Sequence, residues 1–365
     1  MKKSELTAEK AAQLGQCLVI GGGGFLGRHL VCMLREFDVP VRVLGRHQYP
    51  ELNAMGVDCM VGDITEDGVA IRACKGIQTV FHTASISDMW GKRATIYRIN
   101  VKGTAQVIRA CLENKCPRLI YTSSPSVVIG CENIINGNEQ LPYSKTYLAD
   151  YPATKKDAEQ MVLEANCWET VPNTPEEDRP EIGKGNVHHL YTCALRPHLM
   201  WGHDDPHILP NLYHVAVKKH LRQIGDGKNE VTITHVENAA WAHVLAALEL
   251  CGEKRCAGQP YFIGDTPPVL LWPWIRDALA RMGKAKIWKK PVSLKSALIA
   301  ASFFEKIFGL FCITGKPYLT RFIVNQLANS HSFDITAAKR DFGYEMVVSP
   351  EEGLKDLLNM EIGKS

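Results

Sequence analysis

Six short apolar runs punctuate the first 200 residues, and helical stretches separate them. The runs are QCLVIG (16–21), PVRVLG (40–45), DCMVGD (58–63), QTVFHTA (78–84), RLIYTSS (118–124) and YTCALRP (191–197). Runs of this kind suit parallel strands buried on both faces. The stretches 25–37, 94–114 and 152–165 read as helices. The alternation predicts right-handed βαβ crossovers and an α/β fold built on a doubly wound parallel sheet. That domain takes in residues 16–200, after an N-terminal extension at 1–15. Residues 166–190, rich in Pro, Glu and Asn, break the alternation and read as a surface insertion. Beyond 200 the pattern turns irregular and aromatic. Residues 201–365 are expected to form mainly a smaller C-terminal substrate-binding lobe, with 231–250 returning to the core.

The most apolar window is LKSALIAASFFEKIFGLFCIT, 294–314. Glu305 and Lys306 interrupt it near its middle. Two adjacent charges at mid-bilayer cost about 2.5–3.5 kcal/mol each on insertion scales, which argues against a membrane span. Ala300, Phe304, Ile307 and Phe311 recur at helical spacing, so an amphipathic helix is expected. Two uses stay open: packing into the core, or a face that touches a membrane or a greasy substrate entrance.

Composition narrows the classes. Hydrophobic residues make up 45% and charged residues 22%, with a net charge of +3. The cationic stretches are short and interrupted, so no nucleic-acid partner is expected. The first sixteen residues contain no apolar signal-peptide core. The twelve cysteines include no CxxC pair, which excludes a zinc ribbon and a thioredoxin-type site. Reduced thiols fit a cytoplasmic protein, with membrane association through 294–314 left open. No metal ligands are assigned, and a homodimer is left open.

Four consecutive glycines follow the first strand, in CLVIGGGGFLGRHL. Gly21, Gly24 and Gly27 fit G-x-x-G-x-x-G; Gly22, Gly24 and Gly27 fit G-x-G-x-x-G. Between a strand and a helix, such glycines allow a tight turn and a close approach to a pyrophosphate. The helix N-terminus then offers free N–H groups to the phosphates. This is the Rossmann arrangement. The second strand ends VRVLGRHQ. The carboxylate that holds an NAD ribose is absent, and Arg46 stands there instead. A guanidinium grips a 2′-phosphate that a carboxylate would repel, so NADP(H) is expected over NAD(H). Asp63 ends the third strand, near where an adenine would lie.

Tyr151 and Lys155 stand four apart in YPATK, on one face of a helix. Reducing a ketone by hydride leaves an alkoxide that needs a proton. A tyrosine of reference pKa about 10 can supply one, and the Lys155 ammonium together with an oxidised nicotinamide ring is expected to lower that value. Ser124, at the end of the fifth strand, would donate a hydrogen bond to the substrate oxygen; Ser123 is the competing choice.

The glycine loop, VGDIT, VFHTAS, INVKGT, YTSSPSV and YPATK stand in the order of the extended short-chain dehydrogenases/reductases. INGNEQLPY, ALRPHLMWG and VTITHVEN narrow the resemblance to the 3β-hydroxysteroid dehydrogenase branch, over about 16–355. The resemblance implies Ser124, Tyr151 and Lys155 as catalytic set. It implies Gly21, Gly24, Phe25, Leu26, Gly27, Asp63, Ile64 and Ala84 around the dinucleotide, with Pro197 beside the nicotinamide and Asn100 bracing the sheet. It also implies a lipid-like substrate, a 2-alkyl-3-oxo acid or the 3-hydroxyl of a steroid or sterol. Such an acid needs an apolar cavity and a cation; Arg196, His198 and His203 are candidates. His203 itself departs from the family, which carries proline there. Nucleotide-sugar epimerases and dehydratases share the fold and triad, but the hydrophobic C-terminal third argues against a sugar pocket. A non-catalytic NADP(H)-binding protein would not need the intact Ser/Tyr/Lys set.

Overall fold

Seven parallel strands form the central sheet of the computed structural model, which describes residues 1–167, 189–218, 221–283, 288–311, 315, 317 and 319–357. They are β1 (Cys17–Ile20), β2 (Val41–Gly45), β3 (Asp58–Val61), β4 (Thr79–His82), β5 (Arg118–Thr122), β6 (Tyr191–Pro197) and β7 (Gln259–Ile263). Their order is β7-β6-β5-β4-β1-β2-β3. The chain runs outward from β1 to β3, then returns to lay β4 on the other side of β1. A crevice opens at such a reversal, beyond the carboxyl ends of β1 and β4.

Helices cover both faces. On one lie α1 (Phe25–Glu36) and α5 (Val236–Cys251), on the other α2 (Val69–Cys74), α3 (Gly103–Glu113) and α4 (Asp150–Glu164). Ala239, Ala240, Ala246 and Ala247 are small enough to bring α5 close to α1, where Leu30, Val31 and Leu34 are fully buried. Each buried Leu or Val side chain contributes about 1.5–3 kcal/mol. Beyond the sheet, Trp201, Trp272 and Trp274 centre a third apolar cluster, joined by Ala297 and Ala301 of α6 (Leu294–Leu310).

Two elements differ from the sequence pattern. The alternation does not contain β7, yet QPYFI pairs with β6 along its length. The expected helix 94–114 is broken in three: helix Arg93–Tyr97, a π-helical turn Arg98–Lys102, then α3. The wider turn carries Asn100, whose buried side chain bonds outside its own helix. Most of 166–190 lies outside the described residues. Its two ends meet, for Cys167 N–H donates to the Leu190 carbonyl at 2.7 Å. Residues 312–314 of the apolar window also lie outside the described residues.

Candidate active site

The glycine loop shapes one wall of a cleft of about 450 Å³. Gly21 has φ +88°, and a Cβ there would stand 2.9 Å from the Ala84 backbone of the strand β4 loop. At Gly27 a Cβ would run into the Gly21 carbonyl, so helix and turn meet without a side chain between them. The other two glycines also have partners. A Cβ on Gly22 would lie 2.6 Å from Val43 of β2, and one on Gly23 would enter the Tyr49 ring. Gly24 caps α1 without a side-chain bond, so the first-turn amides stay free to receive an anion. Phe25 and Leu26 of that turn line the cleft. The cradle fits a dinucleotide pyrophosphate.

Arg46, Asp63, Ile64 and Ala84 continue the wall, and Pro197 stands across from them. Asp63 accepts from Thr65 N–H and Oγ1, both at 2.8 Å. Burial works to raise its pKa, but the two Thr65 bonds and the Arg98 and Arg46 cations outweigh it and hold it below the usual carboxylate range. Arg46 itself is exposed on the wall.

The structure brings Ser124, Tyr151 and Lys155 to one end of this cleft, with Thr122 and Ser123 beside them. Lys155 is 2% exposed and donates from Nζ to the Thr122 carbonyl at 2.5 Å, above the Tyr121 ring. Burial draws its pKa down to about 7, although Glu159 pulls the other way. The expected lowering of Tyr151 is not what the structure shows. Burial pushes the phenol up to about 12, and a Ser124 hydrogen bond recovers only part of that. The desolvation that favours a neutral phenol outweighs that bond, and the Lys155 ammonium is turned toward the Thr122 carbonyl. Ser124 Oγ accepts from Ser126 N–H at 3.2 Å and lies 2.9 Å from Ser126 Oγ. Ser123 Oγ is buried with no partner among the described residues.

Thr154, His207 and His243 escaped the sequence reading, and Asn100 was expected there only as a brace for the sheet. Asn100 Nδ2 donates to the Ile86 carbonyl and to Thr154 Oγ1, while its Oδ1 accepts from Ile86 N–H at 2.8 Å. It therefore braces the loop after β4 against the helix of Tyr151, rather than the sheet alone. Thr122 Oγ1 lies 2.7 Å from His243 Nε2, and His243 Nδ1 faces the Ala239 carbonyl at 2.7 Å. Burial keeps that imidazole neutral, with its pKa drawn to about 4. Nδ1 thus carries the proton, and the Thr122 hydroxyl donates to Nε2. His207, exposed, lines the cleft rim. No local motif marks His207 or His243, and His243 meets Thr122 from 121 residues away.

None of the three candidate cations is among the residues that line the cleft. Arg196 pairs with Glu159 in the core through Nε at 2.9 Å and Nη2 at 2.5 Å. His198 is buried, lies 2.6 Å from the Thr232 carbonyl through Nδ1 and is drawn down to about 4 by burial. His203 is exposed beside Asp204, and its carbonyl meets the His29 ring.

Residues 18–286 match the model of the 3-beta hydroxysteroid dehydrogenase/isomerase family. The chain is 37% identical to the 2-alkyl-3-oxoalkanoate reductase of Shewanella oneidensis, over 95% of this chain and 86% of that protein. It is 32% identical to the decarboxylating sterol-4-alpha-carboxylate 3-dehydrogenase of Mus musculus, over 93% and 89%. The dTDP-glucose 4,6-dehydratase of Streptomyces venezuelae superposes with a TM-score of 0.66 at 20% identity, over 94% of this chain and 95% of that one, and shares the fold. A dinucleotide cradle and a Ser–Tyr–Lys set in one cleft accord with these relatives: the chain is an oxidoreductase of the extended short-chain dehydrogenase/reductase type and belongs to the 3-beta hydroxysteroid dehydrogenase/isomerase family.

Proposed function

We propose that the protein reduces the ketone of a 2-alkyl-3-oxo acid, or interconverts a steroid or sterol 3-ketone and its alcohol, with NADP(H) preferred. The observation that carries this reading is the convergence of Ser124, Tyr151 and Lys155 at one end of a cleft whose other wall is the glycine loop. A nicotinamide dinucleotide bound there supplies or accepts the hydride. Ser124 orients and polarises the substrate oxygen. Tyr151, kept protonated by burial, passes its phenolic proton to that oxygen. Lys155, fixed by the Thr122 carbonyl, stands one helical turn from Tyr151, and its ammonium stabilises the phenolate left behind. His243 holds Thr122, and Asn100 with Thr154 holds the helix. A panel of 2-alkyl-3-oxo acids, 3-ketosteroids and UDP-sugars, each offered with both cofactors, tests the reading. Turnover of an oxo acid or ketosteroid is expected; turnover of a UDP-sugar alone would overturn the reading in favour of an epimerase or dehydratase.

Cofactor preference rests on Arg46. It stands on the wall at the end of β2, and no carboxylate occupies that place. Arg46→Asp is expected to raise the KM for NADPH at least tenfold, about 1.4 kcal/mol of lost binding, and to change the KM for NADH little. Equal changes for both cofactors would remove Arg46 from the choice.

The exposed face of α6 is assigned here to an anionic lipid surface. Ile299, Phe303 and Leu310 are 63%, 61% and 78% exposed on that helix, and Lys295 and Lys306 share their side. The one acid of α6, Glu305, is turned away and paired with Arg321 at 2.6 Å. Apolar side chains framed by lysines are the pattern of an interfacial helix. Among the described residues no helix is long and apolar enough to cross a membrane. Phe308 meets Trp90 edge-on, which sets α6 against the loop that carries Ser85 and Ser87 into the cleft. A lipid-like substrate could then enter from the bilayer. The protein should float with anionic vesicles and less with neutral ones. Glu at 299, 303 and 310 together should abolish flotation and leave turnover of a soluble substrate intact. Flotation unchanged in that variant would sink the assignment.

A further inference from the structure

Three thiols meet behind the sheet, in a part of the molecule the reaction does not use. Cys74 ends α2, Cys111 lies in α3, and Cys116 follows the turn after α3. All three are at most 1% exposed, and their sulfur atoms lie within 4.8 Å of one another. The surroundings are apolar: Val69, Ala73, Ile77 and Val107 belong to the same cluster. The backbone holds the thiols there. Lys115 has φ +55°, which turns the chain back so that Cys116 N–H donates to the Cys111 carbonyl at 2.8 Å. Asn114 Nδ2 ties this turn to the Ile71 carbonyl of α2 at 3.0 Å. Cys116 Sγ in turn approaches the Cys74 carbonyl at 3.5 Å.

We propose that Cys74, Cys111 and Cys116 form a binding site for a trivalent thiophilic ion, of which arsenite is the probe. Geometry and charge both select this class. With bonds to sulfur of about 2.3 Å, a three-coordinate centre spaces its sulfurs roughly 3.3–4.0 Å apart, depending on how pyramidal it is. The observed sulfurs, all within 4.8 Å of one another, stand close to that spacing. Zinc prefers four tetrahedral ligands, and no fourth His, Cys, Asp or Glu joins the group among the described residues. A tris-thiolate of a monovalent or divalent ion would also be an anion in a dry core, which is costly. Arg42, a cation whose charge reaches Cys74, is already spent on the Ala73 and Lys75 carbonyls and on Asp58. Arsenite avoids this cost. Three As–O bonds break and three As–S bonds form, each hydroxide leaves as water with a thiol proton, and arsenic stays trivalent. The adduct is neutral.

The intact folded protein, treated with arsenite and passed through a desalting column, is weighed under native conditions. One arsenic per chain is expected, with three sulfurs as its nearest neighbours by X-ray absorption. Cys111→Ala and Cys74→Ser, each checked by circular dichroism, should lose it. Cys131→Ala and Cys167→Ala, which alter exposed thiols, should retain it. No retained arsenic, arsenic retained in a folded Cys111→Ala or Cys74→Ser protein, or a centre with only two sulfurs would overturn the site.

Discussion

Tyr151→Phe should lower kcat for ketone reduction by roughly 10²–10⁴-fold, the usual worth of a positioned proton donor. The variant loses one oxygen and keeps the ring, so the cleft wall and the dinucleotide cradle stay as they are. Dinucleotide binding, followed by fluorescence or calorimetry, should change less than threefold. A fall in kcat matched by a fall in cofactor affinity would point to a misfolded cleft, and undiminished kcat would remove Tyr151 from proton transfer. The pH profile adds a sharper check, because kcat/KM reports the groups of the free enzyme. The phenol, pushed up to about 12, stays protonated over the whole working range. Lys155, drawn down to about 7, is charged below that pH and neutral above it. In the proposed mechanism the ammonium stabilises the phenolate that forms as the proton leaves. Reduction should therefore fall as pH rises through about 7, and Lys155→Met should erase that inflection while lowering the plateau.

The glycine loop and the Tyr151–Lys155 pair were legible because each is written in a few adjacent residues with a fixed geometry. Strands β1, β4, β5 and β6 were legible for a related reason, since burial on both faces leaves a near-continuous apolar run, whereas the edge strand β3 is exposed at both ends and half-buried between. What the sequence did not disclose depends on partners distant along the chain. Gly22 and Gly23 make sense only once Val43 and Tyr49 are seen against them. Arg196 looks free until Glu159, 37 residues earlier, is found on it. His243 gives no sign of serving the site until it is placed under Thr122, 121 residues away. The direction of the Tyr151 shift failed for a related reason. Spacing along a helix reports that a lysine is near, but how much water is removed from both groups is set by the whole cleft. Strand β7 hid in an aromatic region, where QPYFI has no period to separate it from lobe text.

Glu159→Ala should destabilise the protein by about 3–5 kcal/mol, the cost of stranding a buried charge. The pair is deep: the Glu159 and Arg196 side chains are 0% and 3% exposed. Tyr143 donates to Glu159 Oε1 at 2.8 Å, and the guanidinium carbon lies 5.1 Å from the Phe262 ring centroid. Without the carboxylate, Arg196 has no water to turn to. Urea unfolding at fixed pH measures the loss, and Glu159→Leu combined with Arg196→Met should recover most of it, since an apolar replacement strands nothing. A double variant no more stable than Glu159→Ala would show that lost packing, not charge, sets the cost. Glu159 also reaches the chemistry, because its charge raises the Lys155 pKa against the burial that lowers it. Glu159→Gln keeps the shape, so it should move the kcat/KM inflection below its position in the unaltered enzyme. An unmoved inflection in a folded Glu159→Gln protein would confine the pair to stability. A moved one would make this buried carboxylate the group that keeps Lys155 charged near neutral pH, and so ties the stability of the core to the proton transfer at Tyr151.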